Sequence, residues 1–469
     1  MGGQRPGGAS RETGFDSCTP ESAVRAADRA HVFQSWAAQR DRDPVVVAGA
    51  AGSYFWDSTG RRYLDFASQM VNLNLGHGHP RVVAAIQEQA ARLCMIAPHF
   101  ANDQRAEAAR LIAELAPGAL TKVFFTNGGT DANEHAVRMA RLATGRPKVL
   151  SAYRSYHGAT HLSMHLTGDP RRWPTDTGTA GVVHFFGPYL YRSAFHATTE
   201  DEECRRALEH LEQVIRLTGP GTVAAVLLET VPGTAGILIP PPGYLSGVRQ
   251  LCDDFGILLI LDEVMCGFAR TGAWFAADHW LVTPDLLTFA KGVNSGYVPL
   301  GGVVLTEQVA AVFDERPYPG GLTYSGHPLA CAAAVAAIEA MREEKVVEHA
   351  AWLGEQVLGP GLRRLAGRHP CVGEVRGLGA FWAMELVRDP GTREMLVPYG
   401  GSGPASTPVD EVVAACRERG LWPFSVANRI HVLPPCTATR EEAEDGLAIL
   451  DEALEVADRY ATVDGHRDG

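Results

Sequence analysis

The sequence predicts an α/β fold: a large domain on a mainly parallel central sheet, with a smaller α+β domain built from both termini. Three observations carry this. Apolar runs at about 121–126, 148–153, 222–229, 257–262, 286–289 and 300–305 alternate with helical stretches, the pattern of βαβ units. Several of these runs are apolar without alternation, as expected of strands covered on both faces. After about residue 327 the character changes to long Ala-rich helices and short strands.

Taken in order, residues 1–20, with "MGGQRPGGASRETGFDS", are expected to be disordered, and so is the tail 461–469. Residues 21–70 form the N-terminal segment of the small domain. Within them, "VVVAG", "SYFWD" and "RRYLDF" (45–66) are short β-type runs separated by turn residues, which predicts an antiparallel meander. The large domain spans 71–335 and opens with helices at about 80–93, with Pro80 in the first turn, and 103–116. Residues 336–460 make the C-terminal small domain. Its helices follow "PLACAAAVAAIEAMREE" and 345–366, its strands lie near 380–387 and 429–433, and a last helix covers 440–459.

The bulk numbers exclude several classes. A chain of 469 residues with 46% hydrophobic and 20% charged residues reads as a soluble globular protein of more than one domain. Its net charge of −12 argues against nucleic acid and anionic membranes as partners. No apolar run approaches the roughly 20 residues that span a bilayer, and the N-terminus has no secretory apolar segment. Nine cysteines without a CxxC pair suggest reduced thiols and a cytoplasmic location.

Lysine usage points to chemistry. Only four of the 42 basic residues are lysines, and Lys291 sits where an apolar strand meets a glycine-bearing loop, "LTFAKGVNSGY". Arginine stays protonated in proteins, whereas a buried lysine can lose its proton and act as a nucleophile. Asp262 ends the apolar run "GILLILDEV", where a carboxylate serves either as a structural cap or as the partner of a cation in a cleft. "FFTNGGTDANE" runs from a strand through Gly-Gly-Thr into a helix whose free N–H groups suit an anion. "SYHGAT" sets Tyr156 beside a glycine. His157, His161 and His165 recur every fourth residue, but no HExxH or acidic third ligand accompanies them, so no metal is expected. Each piece has an ordinary structural reading alone. Together, an anion cradle, a flat aromatic, a carboxylate and a lone lysine suit pyridoxal 5′-phosphate.

Five ordered motifs, "NGGTDANE", "SYHGAT", "LILDEVMCGFARTG", "FAKGVNSGYVPLGG" and "GGLTYSGHPLACAAA", make the chain resemble the class III pyridoxal-phosphate aminotransferases of fold type I. The resemblance covers about residues 30–458 and points to the ω-aminotransferase branch, with its taurine–pyruvate and β-alanine–pyruvate enzymes. It implies that Lys291 forms the Schiff base and shuttles the proton, and that Asp262 pairs with the pyridine nitrogen. It further implies that Val264 and Tyr156 cover the two faces of the ring, with His157 beside Tyr156. Gly129 and Thr130 would bind the phosphate, and Glu229 would be a supporting acid. Thr323 would reach the phosphate across a homodimer. A small-molecule amino donor and a keto acid, pyruvate or 2-oxoglutarate, would then react in a ping-pong cycle.

Departures bear on the substrate. The Glu of the Gly-Glu-Ala-Gly stretch in ornithine and 4-aminobutyrate relatives is here Thr234, and its partner Arg position holds His431. An upstream position that carries a mobile Arg in many relatives holds Phe424. Arg429, on the same strand face as His431, is then the candidate for gripping a substrate carboxylate or sulfonate, with an interdomain salt bridge as its ordinary reading. The usual Gln after Asp-Glu-Val is Met265, a Gly is replaced by Ala269, and Met70 with Val71 reshape the pocket mouth. These changes argue against ornithine, acetylornithine and 4-aminobutyrate as donors. A specialised aldehyde or ketone substrate, and an aminomutase or racemase of the same fold, are the alternatives. A dehydrogenase is disfavoured by the missing GxGxxG.

Overall fold

A computed structural model describes residues 20–40, 42–178 and 181–462. The expectations for residues 1–19 and 463–469 lie outside that range. The first residues of the expected tail are described, and the Thr462 amide donates to the Arg388 carbonyl.

The strands are β1 (Val47–Ala51), β2 (Tyr54–Asp57), β3 (Arg62–Phe66), β4 (Leu120–Thr126), β5 (Lys148–Ala152), β6 (Val182–Phe185), β7 (Val223–Glu229), β8 (Leu258–Asp262), β9 (Leu286–Phe289) and β10 (Gly301–Thr306). After the Ala-rich helices come β11 (Val372–Leu378), β12 (Phe381–Asp389), β13 (Glu394–Met395), β14 (Leu421–Val426) and β15 (Arg429–Val432).

Seven strands make the large sheet in the order β4-β10-β9-β8-β7-β5-β6. From β6 to β9 every pairing is parallel. β10 runs antiparallel to both β9 and β4, an inversion the sequence could not signal because its strand is buried on both faces in either direction. β6 was not expected from the sequence. It is a four-residue edge strand, too short to show a period. All seven residues of β7 are buried, since helices cover both faces. The helix Gly129–Thr144 does so through Ala132, Ala136, Val137 and Ala140.

The second sheet has eight strands, ordered β1-β2-β3-β14-β15-β12-β11 with β13 on β12. β3 pairs parallel with β14, so the N-terminal meander is completed by C-terminal strands. β11, β13 and β14 add to the two strands expected here. The helical run expected over 345–366 extends from Val346 to Arg368 but widens to π geometry at Gly354–Leu358. Pro360 explains the change, because it cannot donate to the carbonyl one turn back.

Candidate active site

Parallel strands bring their carboxyl ends to one edge, and the predicted residues collect there. Register sets Glu229 of β7 beside Asp262 of β8, and Asp262 beside Thr288 of β9. Lys291 follows β9 in a left-handed conformation, φ 46°, which non-glycine residues adopt rarely and at some cost in energy. Tyr156 and His157 come from the loop after β5, and Gly129 and Thr130 open the helix after β4. All of these except Thr288 line one cavity of about 880 Å³, together with Val264, Met70, Val71 and Arg429. Thr323 is exposed and does not line it within this chain.

Asp262 is buried and held by three donors. Its Oδ2 accepts from Asn133 Nδ2 at 2.7 Å and pairs with His157 Nδ1 at 2.8 Å, while Oδ1 accepts from the Val264 amide at 3.0 Å. Thr288 Oγ1 donates to Asn133 Oδ1 at 2.8 Å, which turns the Asn133 NH₂ toward the carboxylate. Glu229 accepts from the Tyr156 and Gly233 amides, both at 2.8 Å, so it ties two loops of the cavity wall together. Burial pushes the Glu229 carboxyl up to about 7.

Lys291 Nζ makes no hydrogen bond or ion pair among the described residues. Burial pushes its amine down to about 8, against the opposing pull of Asp262 and Glu229. An unpartnered amine whose proton is held this weakly is a nucleophile in waiting.

The helix beginning at Gly129 has no side-chain cap, so its first amides are free toward the cavity. Gly129 is required here, because a Cβ would stand 2.7 Å from Val264 Cγ1. Gly158, at φ 137°, likewise lets the Tyr156 loop close on Thr130, whose Oγ1 a Cβ would meet at 2.5 Å. The residues fit pyridoxal phosphate. They offer free amides for a phosphate, Tyr156 and Val264 as walls for a flat ring, a fixed carboxylate for its nitrogen, and an unpaired amine for its aldehyde.

Residues 36–454 match the family model for aminotransferase class III. The chain is a class-III aminotransferase. It is 36% identical to the 5-aminovalerate aminotransferase of Pseudomonas aeruginosa, over 88% of this chain and 94% of that one. It is 35% identical to the taurine–pyruvate aminotransferase of Rhodobacter capsulatus, over 85% of this chain and 88% of that one. Among solved structures it is similar to the taurine:2-oxoglutarate aminotransferase of Bifidobacterium kashiwanohense in complex with PLP and glutamate. That match has 41% identity and a TM-score of 0.90, covering 93% of this chain and 98% of that one. An (S)-enantioselective omega-transaminase from Thermomicrobium roseum matches at 36% identity and a TM-score of 0.86, with the same coverage. The expected family, the fold and the pyridoxal-phosphate cofactor are thereby established for this aminotransferase.

Of the cavity residues of this aminotransferase that the sequence did not mark, three bear on its chemistry. Asn133 lies one turn along from Gly129 on the same helix face, a spacing that could have revealed it. Arg154 follows β5 in a left-handed conformation, φ 66°. Arg171 reaches the cavity from a 3₁₀ turn, sits 3.6 Å above the Tyr156 ring centroid, and donates to Asp169 and, at 2.9 Å, to Thr234 Oγ1. Position 234 thus still faces an arginine, but one from a different part of the chain. The three periodic histidines take separate partners: His157 pairs with Asp262 and His165 with Asp176, while the His161 ring lies edge-on to that of His165. His431 is buried and its Nε2 lies 3.2 Å from the Gly233 carbonyl.

Proposed function

We propose that this aminotransferase takes an amino group from an ω-amino acid whose far end bears a carboxylate or sulfonate, and passes it to a 2-oxo acid. The observation that carries this is Arg429. It is 6% exposed, lines the same cavity as Lys291, and its guanidinium makes no hydrogen bond or ion pair among the described residues. A buried cation without a protein partner is costly unless a ligand anion completes it. The same cavity is also lined by Met265, Val71 and Phe424, apolar side chains suited to a short methylene chain.

Pyridoxal phosphate, when bound, supplies an electrophilic aldehyde and a ring that accepts electrons. The chain's own residues do the rest. The free Gly129 and Thr130 amides would hold the phosphate, and Tyr156 and Val264 would confine the ring. Asp262, fixed by Asn133 and His157, would face the ring nitrogen with its carboxylate. With the cofactor bound, the Lys291 amine would carry the proton from the donor's amine-bearing carbon to the cofactor, and with the 2-oxo acid it would carry one the opposite way. Glu229 keeps the two loops of the wall in place.

The working molecule in this reading is a cytoplasmic homodimer in which Thr323 reaches the phosphate of the neighbouring subunit. Residues 21–70 with 336–460 form the small domain beside the large domain 71–335. Among the described residues no helix is long and apolar enough to cross a membrane.

The test is a donor panel of taurine, β-alanine, 5-aminovalerate and propylamine, run against pyruvate and 2-oxoglutarate and read at the cofactor's absorbance. The expected result is saturation by at least one acid-bearing donor, with propylamine at least ten-fold poorer in kcat/KM. Equal use of propylamine contradicts the reading.

A further inference from the structure

Arg429 is not the sole arginine of the cavity that lacks a partner. Arg154 lines the same cavity, and its guanidinium also makes no hydrogen bond or ion pair among the described residues. We infer that Arg154 and Arg429 together form a two-guanidinium receptor for the acid group of the substrate, an inference that rests on the proposed function and extends it.

The neighbouring charges show why these two are left over. Arg376 pairs with Glu374 and, at 2.8 Å, with Glu385. Arg192 and the Tyr189 hydroxyl also spend their hydrogen bonds on Glu385. Arg171 is matched by Asp169. The acids on this wall are therefore already satisfied. Arg429 lies against the same glycine as Arg376, since a Cβ on Gly236 would stand 2.5 Å from Arg429 Cδ and 2.6 Å from an Arg376 nitrogen. It shares the wall but not the acids. Burial pushes the Arg429 guanidinium down from its usual value, and the charges of Arg376 and Arg154 add to that effect while Glu385 opposes it.

Arg154 is held by aromatic faces instead of a carboxylate. Its guanidinium carbon lies 5.0 Å from the Tyr189 ring centroid and 5.5 Å from that of Tyr399. Its backbone, at φ 66°, is in a region that L residues avoid, while its amide donates to the Gly168 carbonyl at 3.0 Å. A strained backbone and two ring contacts fix a cation facing a cavity that already contains another unpaired cation. The ligand that answers this is an anion with several acceptor oxygens, carboxylate or sulfonate, at the end of the substrate away from Lys291.

The experiment uses the cofactor-loaded enzyme and two unreactive probes, butyrate and propane-1-sulfonate, titrated by calorimetry. The tighter probe identifies the acid. In Arg154→Gln the affinity for that probe falls about ten-fold or more, the scale of one lost charge-assisted hydrogen bond. The ratio of kcat/KM for an acid-bearing donor over propylamine falls with it. Arg154→Lys, which keeps the charge but loses the fork, lies between the two, and it decides the matter alone if the Gln variant does not fold. Probe affinities within two-fold of the parent, in a folded and loaded variant, overturn the inference. So does loss of pyridoxal phosphate with probe affinity unchanged. Should the parent enzyme itself use propylamine as well as its best acid-bearing donor, the proposed function fails, whatever Arg154 does to the probes.

Discussion

At position 291, burial and reactivity work in the same direction. The amine has no partner and titrates near 8 instead of 10.5, so the folded chain without cofactor resists protonation that the unfolded chain accepts. As pH falls from about 10.5 to 8, the unfolded state takes up the proton first and the apoprotein loses stability. Below 8 the deficit is constant. Lys291→Met removes the titration. Its apoprotein is expected to melt higher than the parent at pH 7 and to converge with it above pH 10.5, by thermal unfolding across that range. At about 1.4 kcal/mol per pKa unit the difference at pH 7 is on the order of 3 kcal/mol. Asp262→Asn leaves the donors of Asn133 and His157 facing a neutral group, and kcat is expected to fall by roughly 10²-fold or more, with cofactor still bound, by single-turnover kinetics. These two residues were legible in the sequence because a scarce lysine and a carboxylate each closed an apolar run. Arg154 and Arg171 were not, since an arginine carries no local mark of lacking or possessing a partner. Only the fold reveals that Arg171 has Asp169 and Thr234 while Arg154 has tyrosine faces.

Among the elements, the helix that begins at Gly129 is the one proposed to hold the phosphate. Gly129→Ala places a methyl 2.7 Å from Val264, which must move or push the helix away. The expected outcome is weaker pyridoxal-phosphate affinity, about ten-fold or more, measured by equilibrium dialysis, with far-ultraviolet circular dichroism unchanged. The interior strands of the large sheet were legible because burial on both faces makes continuous apolar runs. The same burial hid the direction of β10, and shortness hid β6. In the second sheet, β14 carries Pro423 and only partly buried positions such as Trp422 and Phe424, so its apolar period was blurred until β3 and β15 flanked it.

For the whole molecule, Arg270 joins parts of the chain that are distant in sequence. Fully buried, it donates to the Ala380 and Pro434 carbonyls and to Ser68 Oγ and Asn74 Oδ1. Arg270→Ala orphans those acceptors and leaves a cavity, and is expected to cost on the order of 3 kcal/mol or more in urea unfolding. The proposed homodimer, with Thr323 serving the neighbouring subunit's site, makes its own prediction. Lys291→Met and Thr323→Ala chains, weak separately, should recover activity when refolded together, because one site of each mixed pair has both native residues. The account rests above all on Lys291 as the covalent anchor of pyridoxal phosphate. The most direct measurement is borohydride reduction of the purified enzyme followed by peptide mass spectrometry. The account predicts a pyridoxyl adduct on the peptide containing Lys291 and none on those containing Lys122, Lys148 or Lys345. A cofactor-loaded enzyme with no adduct, or with the adduct on another lysine, would contradict it.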